Sequence, residues 1–411
     1  MSGELIRFIH ASDFHLEQPL YGLADVPDHL RDWLLEAPYQ AATRVFDSVL
    51  AEHVDFLILS GDILDPLHGS PRALAFLCEQ FQRLAERGIA VYWVGSELDS
   101  PENWPSVVPL PENVHHLSAT RVVQLSHRRD EEVSVSIIGA STREHSVASI
   151  TDYRRDDQEQ FAIGIWHGIT DASTLARQPL NYWALGGEHG RKTLYSTPHA
   201  AHYPGSPQGR CPEEAGPHGC TLVSVDPDGK VRLQMLPTDV VRWHEEQLTV
   251  TASQTKTDLQ RLLRDRTQAL AAEAGDRALL LRWQLTAAGR AGLELRQSQM
   301  VDELLQELRT EFGKRRFPIW TTAIDREPPA TLPVEWYEED SILGDFLRSV
   351  RDHESGKHEP VDVSDYLRDE PEQGMIRRLL VIPDAATRTR LMREAAVMGV
   401  NLLRGEAALE T

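Results

Sequence analysis

A chain of 411 residues is long enough for two or three domains, each able to bury a core. Its 41% hydrophobic and 26% charged content excludes a disordered or fibrous protein. A net charge of −21 argues against a surface that attracts nucleic acid in general. A DNA-handling role would need a local groove, metal ions or a partner that supplies positive surface. The three cysteines, Cys78, Cys211 and Cys220, form no Cys-x-x-Cys pair and no disulfide framework. The N-terminus has no basic-then-apolar signal segment, and no apolar run reaches the length of a membrane span. A reducing, cytoplasmic location and no membrane association are therefore expected.

Leu5 to His10 reads as a first strand, followed by a long polar loop over 17 to 36. Apolar residues at helical spacing (Ala42, Val45, Phe46, Val49, Leu50) predict a helix over Tyr39 to His53. Asp55 to Ser60 is apolar throughout, as a central strand with both faces covered would be, and runs into Gly61-Asp62. A second helix over Pro71 to Arg87 is closed by Gly88, and a third strand over Ile89 to Val94 runs into Gly95-Ser96-Glu97-Leu98-Asp99. This order implies a right-handed α/β unit with functional loops beyond the C-terminal strand ends. Further strands are expected at 121–125, 133–139, 161–166, 182–185, 221–225 and 231–236, the last two joined by the turn Asp226-Pro227-Asp228-Gly229. The stretch 1–237 thus reads as a two-sheet α/β sandwich.

After Pro237 the pattern changes. Strands at 240–251, 278–287 and 317–324 and helices at 259–274 and 300–312 make 238–330 a small α+β domain. A Pro-rich linker over 326–333 leads into a helical region, 331–411, with helices expected at 341–353, within 363–370 and at 385–408.

The candidate chemistry sits at strand ends. Asp13 and His15 follow the first strand, Asp62 the second, and His167 and His189 the strands near 161 and 182. A lone Asp-x-His is a common accident. Five such groups, each directly after a buried strand, point to a divalent metal site, and mixed His and carboxylate ligands suit manganese, iron or zinc. Cys211, His218 and Cys220 offer a weaker zinc alternative in a Pro- and Gly-rich loop.

Asp13-x-His15, Gly61-Asp62-x-x-Asp65, the Gly95 loop, His167-Gly168 and Gly186 to His189 resemble, in order and spacing, the calcineurin-like metallophosphoesterases. Within them the chain looks like the branch that contains SbcD. A further run, Tyr203-Pro204-Gly205-Ser206-Pro207-Gln208-Gly209-Arg210 followed by Glu214, Gly216 and Gly219, is similar to DNA-repair exonuclease-like proteins encoded beside large ABC-type ATPases. The likeness covers residues 1 to about 250; beyond that it rests on architecture.

The resemblance implies that Asp13, His15 and His189 hold one metal, that Asp62 bridges to a second, and that His167 belongs to the second. It implies metal-dependent hydrolysis of a phosphodiester with manganese as the expected ion, DNA as substrate, a capping domain over 238–330, and C-terminal helices that dock on an SbcC-like coiled-coil ATPase. A homodimer is compatible with it.

The sequence departs from the family pattern in two motifs. The third loop should read Gly-Asn-His-Asp and reads Gly95-Ser96-Glu97-Leu98-Asp99; the later Gly-His-x-His reads Gly186-Gly187-Glu188-His189. Glu97, Asp99 and Glu188 are the candidate catalytic replacements, and Arg210, whose guanidinium can grip an anion through two N–H groups, is the candidate phosphate contact. Three functions stay open: an exonuclease-like phosphodiesterase with altered chemistry, a catalytically degenerate scaffold subunit of the same kind of complex, and a phosphatase acting on a small substrate. Lys314, Arg315 and Arg316 form a small basic cluster with either a DNA-contacting or a plain surface role.

Overall fold

The computed structural model describes residues 6–23, 26–129, 134–142, 149–155, 161–196, 198–250, 255–287, 298–327, 332, 334–355 and 385–404. The expected helix within 363–370 lies outside them. The described chain divides into two compact units. The first comprises 1–244, 271–281 and 312–322, and the second the remaining stretches from 245 to 411.

The first unit is built on two six-stranded sheets. One contains β1 (Ile6–Ala11), β2 (Phe56–Ser60), β3 (Ala90–Val94), β4 (Val114–His116), β11 (Gly219–Val225) and β12 (Val231–Pro237), in the order β12-β11-β1-β2-β3-β4. The other contains β5 (Val123–Arg128), β6 (Ser134–Gly139), β7 (Phe161–His167), β8 (Tyr182–Gly186), β9 (Lys192–Tyr195) and β10 (Ala200–Tyr203), in the order β5-β6-β7-β8-β10-β9. β1, β2, β3 and β4 pair in parallel, as do β6, β7 and β8. Parallel strands need crossovers, so their C-terminal ends share one edge of each sheet, and loops leaving that edge are free to vary.

The layers follow from the strand sequences. Alternate residues of β1, β2 and β3 (Ile6, Phe8, Phe56, Ile58, Tyr92, Val94) meet Val135, Ile137, Phe161, Ile163, Ile165 and Tyr182 of the second sheet in one buried cluster. The opposite residues (Ile9, Leu57, Leu59, Val91, Trp93) pack with Val45, Phe46 and Val49 of α1 (Asp28–Ala51) and Leu77, Phe81 and Leu84 of α2 (Pro71–Ala85). Both faces of the strands are covered, which is why they carry little polar residue.

One expectation fails here. The stretch 28–36 is not loop: α1 runs from Asp28 to Ala51 over 24 residues with Pro38 inside it. Its first turns are held by tertiary packing, since Leu30, Leu34 and Ala37 are buried with Val240, Trp243, Leu280 and Trp320. Proline disfavours a helix interior, and the packing of these apolar residues overrides that local preference. Short β4, β9 and β10 carry too few residues for a period to show and were not expected from sequence.

β13 (Val241–Val250), β14 (Ala278–Ala287) and β15 (Ile319–Glu327) form a three-stranded sheet in that order. In the second unit, ion pairs Lys256–Glu303 and Arg264–Glu311 join α4 (Lys256–Ala274) to α5 (Ser298–Phe312), which follow the short α3 (Ala172–Leu175) of the first unit. Leu343, Leu347 and Val350 of α7 (Ile342–Glu354) pack with Ala396 and Val400 of α8 (Ala385–Arg404), beside α6 (Val334–Glu338). Among the described residues no helix is long and apolar enough to cross a membrane.

Candidate metal centre

The loops after β1 and β2 are laced together by their backbones. Asp13 N–H donates to the Gly61 carbonyl at 3.0 Å, His15 N–H to that of Asp62 at 2.9 Å, and Leu16 N–H to that of Ile63 at 3.1 Å. Asp13, His15 and Asp62 all sit at positive φ, at 57°, 44° and 55°. Such non-glycine residues cost about 1–3 kcal/mol each and cluster where geometry serves function. Gly61 itself has no choice: a Cβ there would lie 2.3 Å from His167 Nδ1.

Asp13 is fully buried, and both its carboxylate oxygens accept from Gly187 N–H at 3.1 Å, with Ser12 Oγ donating to one at 2.5 Å. Burial pushes the carboxyl above its ordinary range, partly offset by His167. His15 Nε2 lies 3.2 Å from His189 Nε2 and 3.7 Å from Asp62 Oδ2. Burial, then the Arg210 guanidinium, pushes the His15 imidazole down to about 3, so the ring is neutral and carries a lone pair.

His189 is set by Glu214. Its Nδ1 lies 2.7 Å from Glu214 Oε1, and a carboxylate in this state only accepts, so Nδ1 carries the proton and Nε2 faces His15. This hydrogen bond raises the His189 pKa. Burial alone would raise Glu214, but the bonds from His189 and from Arg210 N–H, at 2.7 Å, bring its carboxyl down to about 2. His167 is set in the same way. Its Nδ1 donates to the Ser60 carbonyl at 2.8 Å, leaving the Nε2 lone pair 3.6 Å from Asp62 Oδ2.

These contacts fit a metal. Asp13, His15 and His189 each present one ligand atom within 4.8 Å of the others, the only such group of three among the described residues. Ligand bonds of about 2.0–2.2 Å place neighbouring ligand atoms within that span. The imidazole whose far nitrogen is held by a carboxylate is the usual form of a metal-ligating histidine. The zinc alternative has no such support: His218 Nδ1 bonds Ser206 and Nε2 bonds the Glu214 carbonyl, so neither nitrogen is free.

Of the remaining candidates, Arg210 alone reaches the centre. Asp99 is fully buried and accepts from five donors: Asp62 N–H, Ile63 N–H, Trp93 Nε1–H, Ser96 N–H and Ser96 Oγ–H. Glu97 is exposed, and its carbonyl accepts from Asn103. Glu188 pairs with Lys192 at 3.6 Å. Arg210 is 4% exposed and reaches the centre: its Nη2 lies 3.2 Å and 3.3 Å from the two ring nitrogens of His189, and its Nη1 bonds Gln18. The structure thus brings together Asp13, His15, Asp62, His167, His189 and Arg210. Sequence reading missed the orienting tasks of Glu214 and the Ser60 carbonyl. Glu214 was visible as a carboxylate four residues after Arg210 in the long Tyr203–Gly219 motif. A backbone carbonyl leaves no sequence signal.

A two-sheet α/β sandwich with histidines and carboxylates converging at its strand ends defines a metal-dependent phosphoesterase or nuclease. No protein-family model matches the chain. The chain is 30% identical over 336 residues to the uncharacterized metallophosphoesterase YhaO of Bacillus subtilis (strain 168), covering 78% of this chain and 82% of that protein. It is 27% identical over 103 residues to the DNA double-strand break repair protein Mre11 of Sulfurisphaera tokodaii, and 25% identical over 105 residues to that of Saccharolobus solfataricus. The two Mre11 matches span 24% and 26% of those proteins. The chain belongs to the metallophosphoesterases, in the calcineurin-like branch that includes the repair nucleases.

Proposed function

We propose that the protein is a metal-dependent phosphodiesterase of the DNA-repair exonuclease type, acting as a subunit beside an SbcC-like coiled-coil ABC-type ATPase in the cytoplasm. The observation that carries the reading is the convergence of Asp13, His15 and His189, with Asp62 and His167 beside them. Mixed imidazole and carboxylate ligands favour Mn²⁺ over Ca²⁺ or Mg²⁺. A divalent ion held there supplies charge that polarises a phosphate and acidifies an attacking water.

The protein's own residues do the rest. Gly187 N–H fixes the Asp13 carboxylate, Glu214 and the Ser60 carbonyl fix the tautomers of His189 and His167, and Arg210 binds phosphate oxygens. Asp99 positions the Asp62 loop through its hydrogen bonds. We assign 1–237 as the phosphoesterase domain, 238–330 as a capping-type α+β domain, and the C-terminal helices of 331–411 as the ATPase-docking part. With −21 net charge, DNA contact would fall to the metal, Arg210 and the partner rather than to the general surface.

The test is hydrolysis of linear DNA and of a simple aryl phosphodiester by protein loaded with Mn²⁺. Activity lost in Asp62→Ala supports the reading; equal inactivity of both proteins on both substrates sinks the catalytic form. The second reading is a catalytically silent subunit of the same kind of complex. It is favoured by the loss of ligand side chains at Ser96 and Gly187, and an inactive protein that still copurifies with the ATPase would establish it.

A further inference from the structure

A two-ion centre needs a second set of ligands, and the described residues do not assemble one. Ser96 stands where the family pattern has an asparagine. It is 3% exposed, its Oγ donates to Asp99 Oδ1 at 2.7 Å, and it accepts from Leu98 N–H at 3.1 Å. The hydroxyl is committed to its own loop. Gly187 stands where the pattern has a histidine. Its backbone is at φ +98°, where a side chain is strained, and its N–H is spent on Asp13. Glu188 is held by Lys192. Asp62 and His167 are then the remaining protein donors, 3.6 Å apart, where transition ions ordinarily require three or four.

The charge beside the centre has another source. Arg210 is almost fully buried, and its Nε–H has no acceptor. A buried donor left unpaired is costly, on the order of 1–3 kcal/mol. The guanidinium lies within 3.3 Å of the His189 ring, so an ion on His189 would put two cations side by side. That arrangement is favourable when an anion lies against both. A phosphate supplies acceptors for Nε–H and Nη–H in the fork geometry that guanidinium prefers.

We infer that the centre holds a single divalent ion, on Asp13, His15 and His189, and that Arg210 takes the place of the second ion as the positive group against the phosphate. The inference rests on the metal-dependent reading above.

The experiment is metal analysis of the full chain after Mn²⁺ loading and dialysis, with calorimetric titration of inorganic phosphate into the loaded protein. One ion per chain is expected, kept in His167→Ala and lost in His189→Ala. Arg210→Gln should keep the ion and weaken phosphate binding roughly ten- to a hundredfold, the loss expected for a charge-assisted contact. Thermal melting checks that the variant is folded; Arg210→Lys, which keeps the charge without the fork, serves if it is not and should still bind phosphate more weakly than the parent. Two ions per chain, or loss of the ion in His167→Ala as in His189→Ala, overturns the single-ion centre and leaves the metal-dependent reading standing. Unchanged phosphate binding in the Arg210 variants overturns the arginine's part. No ion at all overturns both this inference and the reading beneath it.

Discussion

The two halves of the centre grow from the same strand edge and have different fates. In the first half two of the three ligands have a fixed supporter: Gly187 N–H and Ser12 for Asp13, Glu214 for His189. In the second half His167 and Asp62 keep their places, but the loop after β3 has folded onto itself around the Asp99 carboxylate. That loop is not loosened by its lost ligands. It is a closed hydrogen-bonded unit that also grips the backbone of Asp62 and Ile63. The contrast teaches that the sheet positions ligands independently of what the neighbouring loop offers, so one half can be rebuilt while the other is kept.

The largest effect that can break this contrast is at Asp99. Asp99→Ala leaves five donors without their acceptor in a fully buried pocket. A loss of about 3 kcal/mol is expected in denaturant unfolding. Because Asp13, His15 and His189 are joined to this loop only through the Asp62 backbone, folded Asp99→Ala protein should still retain its metal. Metal lost together with stability would mean that the halves are one unit.

Glu214 tests the supporter argument on the other side. Glu214→Gln keeps the size of the side chain and an acceptor oxygen for His189 Nδ1–H, but removes the charge that makes Nε2 more basic. A ten- to hundredfold weaker Mn²⁺ affinity is expected, the usual cost of losing an outer partner of a metal histidine. Isothermal titration measures it, and an unchanged affinity would reduce Glu214 to a loop-closing role.

Much of this centre was legible before any coordinates. Asp13, His15, Asp62, His167 and His189 could be picked out because a buried parallel strand is a continuous apolar run, and its end is visible in sequence. The two-sheet sandwich was legible for the same reason. The start of α1 was not, because Pro38 reads as a breaker and the burial of Leu30 and Leu34 comes from residues more than 200 positions away. The hydrogen bonds that surround Asp99 were not legible either. A carboxylate in a rewritten catalytic loop looks like a replacement ligand until its donors are seen, and four of the five come from backbone N–H groups or an indole, which carry no pattern.

The pH dependence of stability separates the rebuilt loop from the rest of the fold. His116 stacks on Trp93 with ring centroids 3.9 Å apart and its Nε2 lies 3.0 Å from the Asp99 carbonyl. Burial brings its imidazole down to about 3, well under the ordinary 6.5, and it does the same for His202 in the other sheet. Both are neutral when folded, while the unfolded chain takes up the protons as pH falls past about 6.5. Their stabilising contribution is therefore complete above that pH and declines as pH drops toward 3. Each contributes up to about 1.4 kcal/mol per pH unit across that window. His116→Phe keeps the stacking surface and should flatten the acid decline by that amount. An unaltered slope would place the titration elsewhere.

The smallest effect is at Glu188, and its smallness is informative. Glu188 neighbours the missing ligand at Gly187 in sequence, which made it a candidate replacement. Its carboxylate instead pairs with Lys192, four residues on at the start of β9, with side chains 32% and 56% exposed. Exposed ion pairs of this kind contribute about 0–1 kcal/mol. Glu188→Gln should therefore change unfolding stability by less than about 0.5 kcal/mol and leave the metal content as it was. If the variant loses metal, the glutamate turns toward the centre when an ion is present. The second half would then have been rewritten with a carboxylate ligand, and the single-ion centre would fall with it.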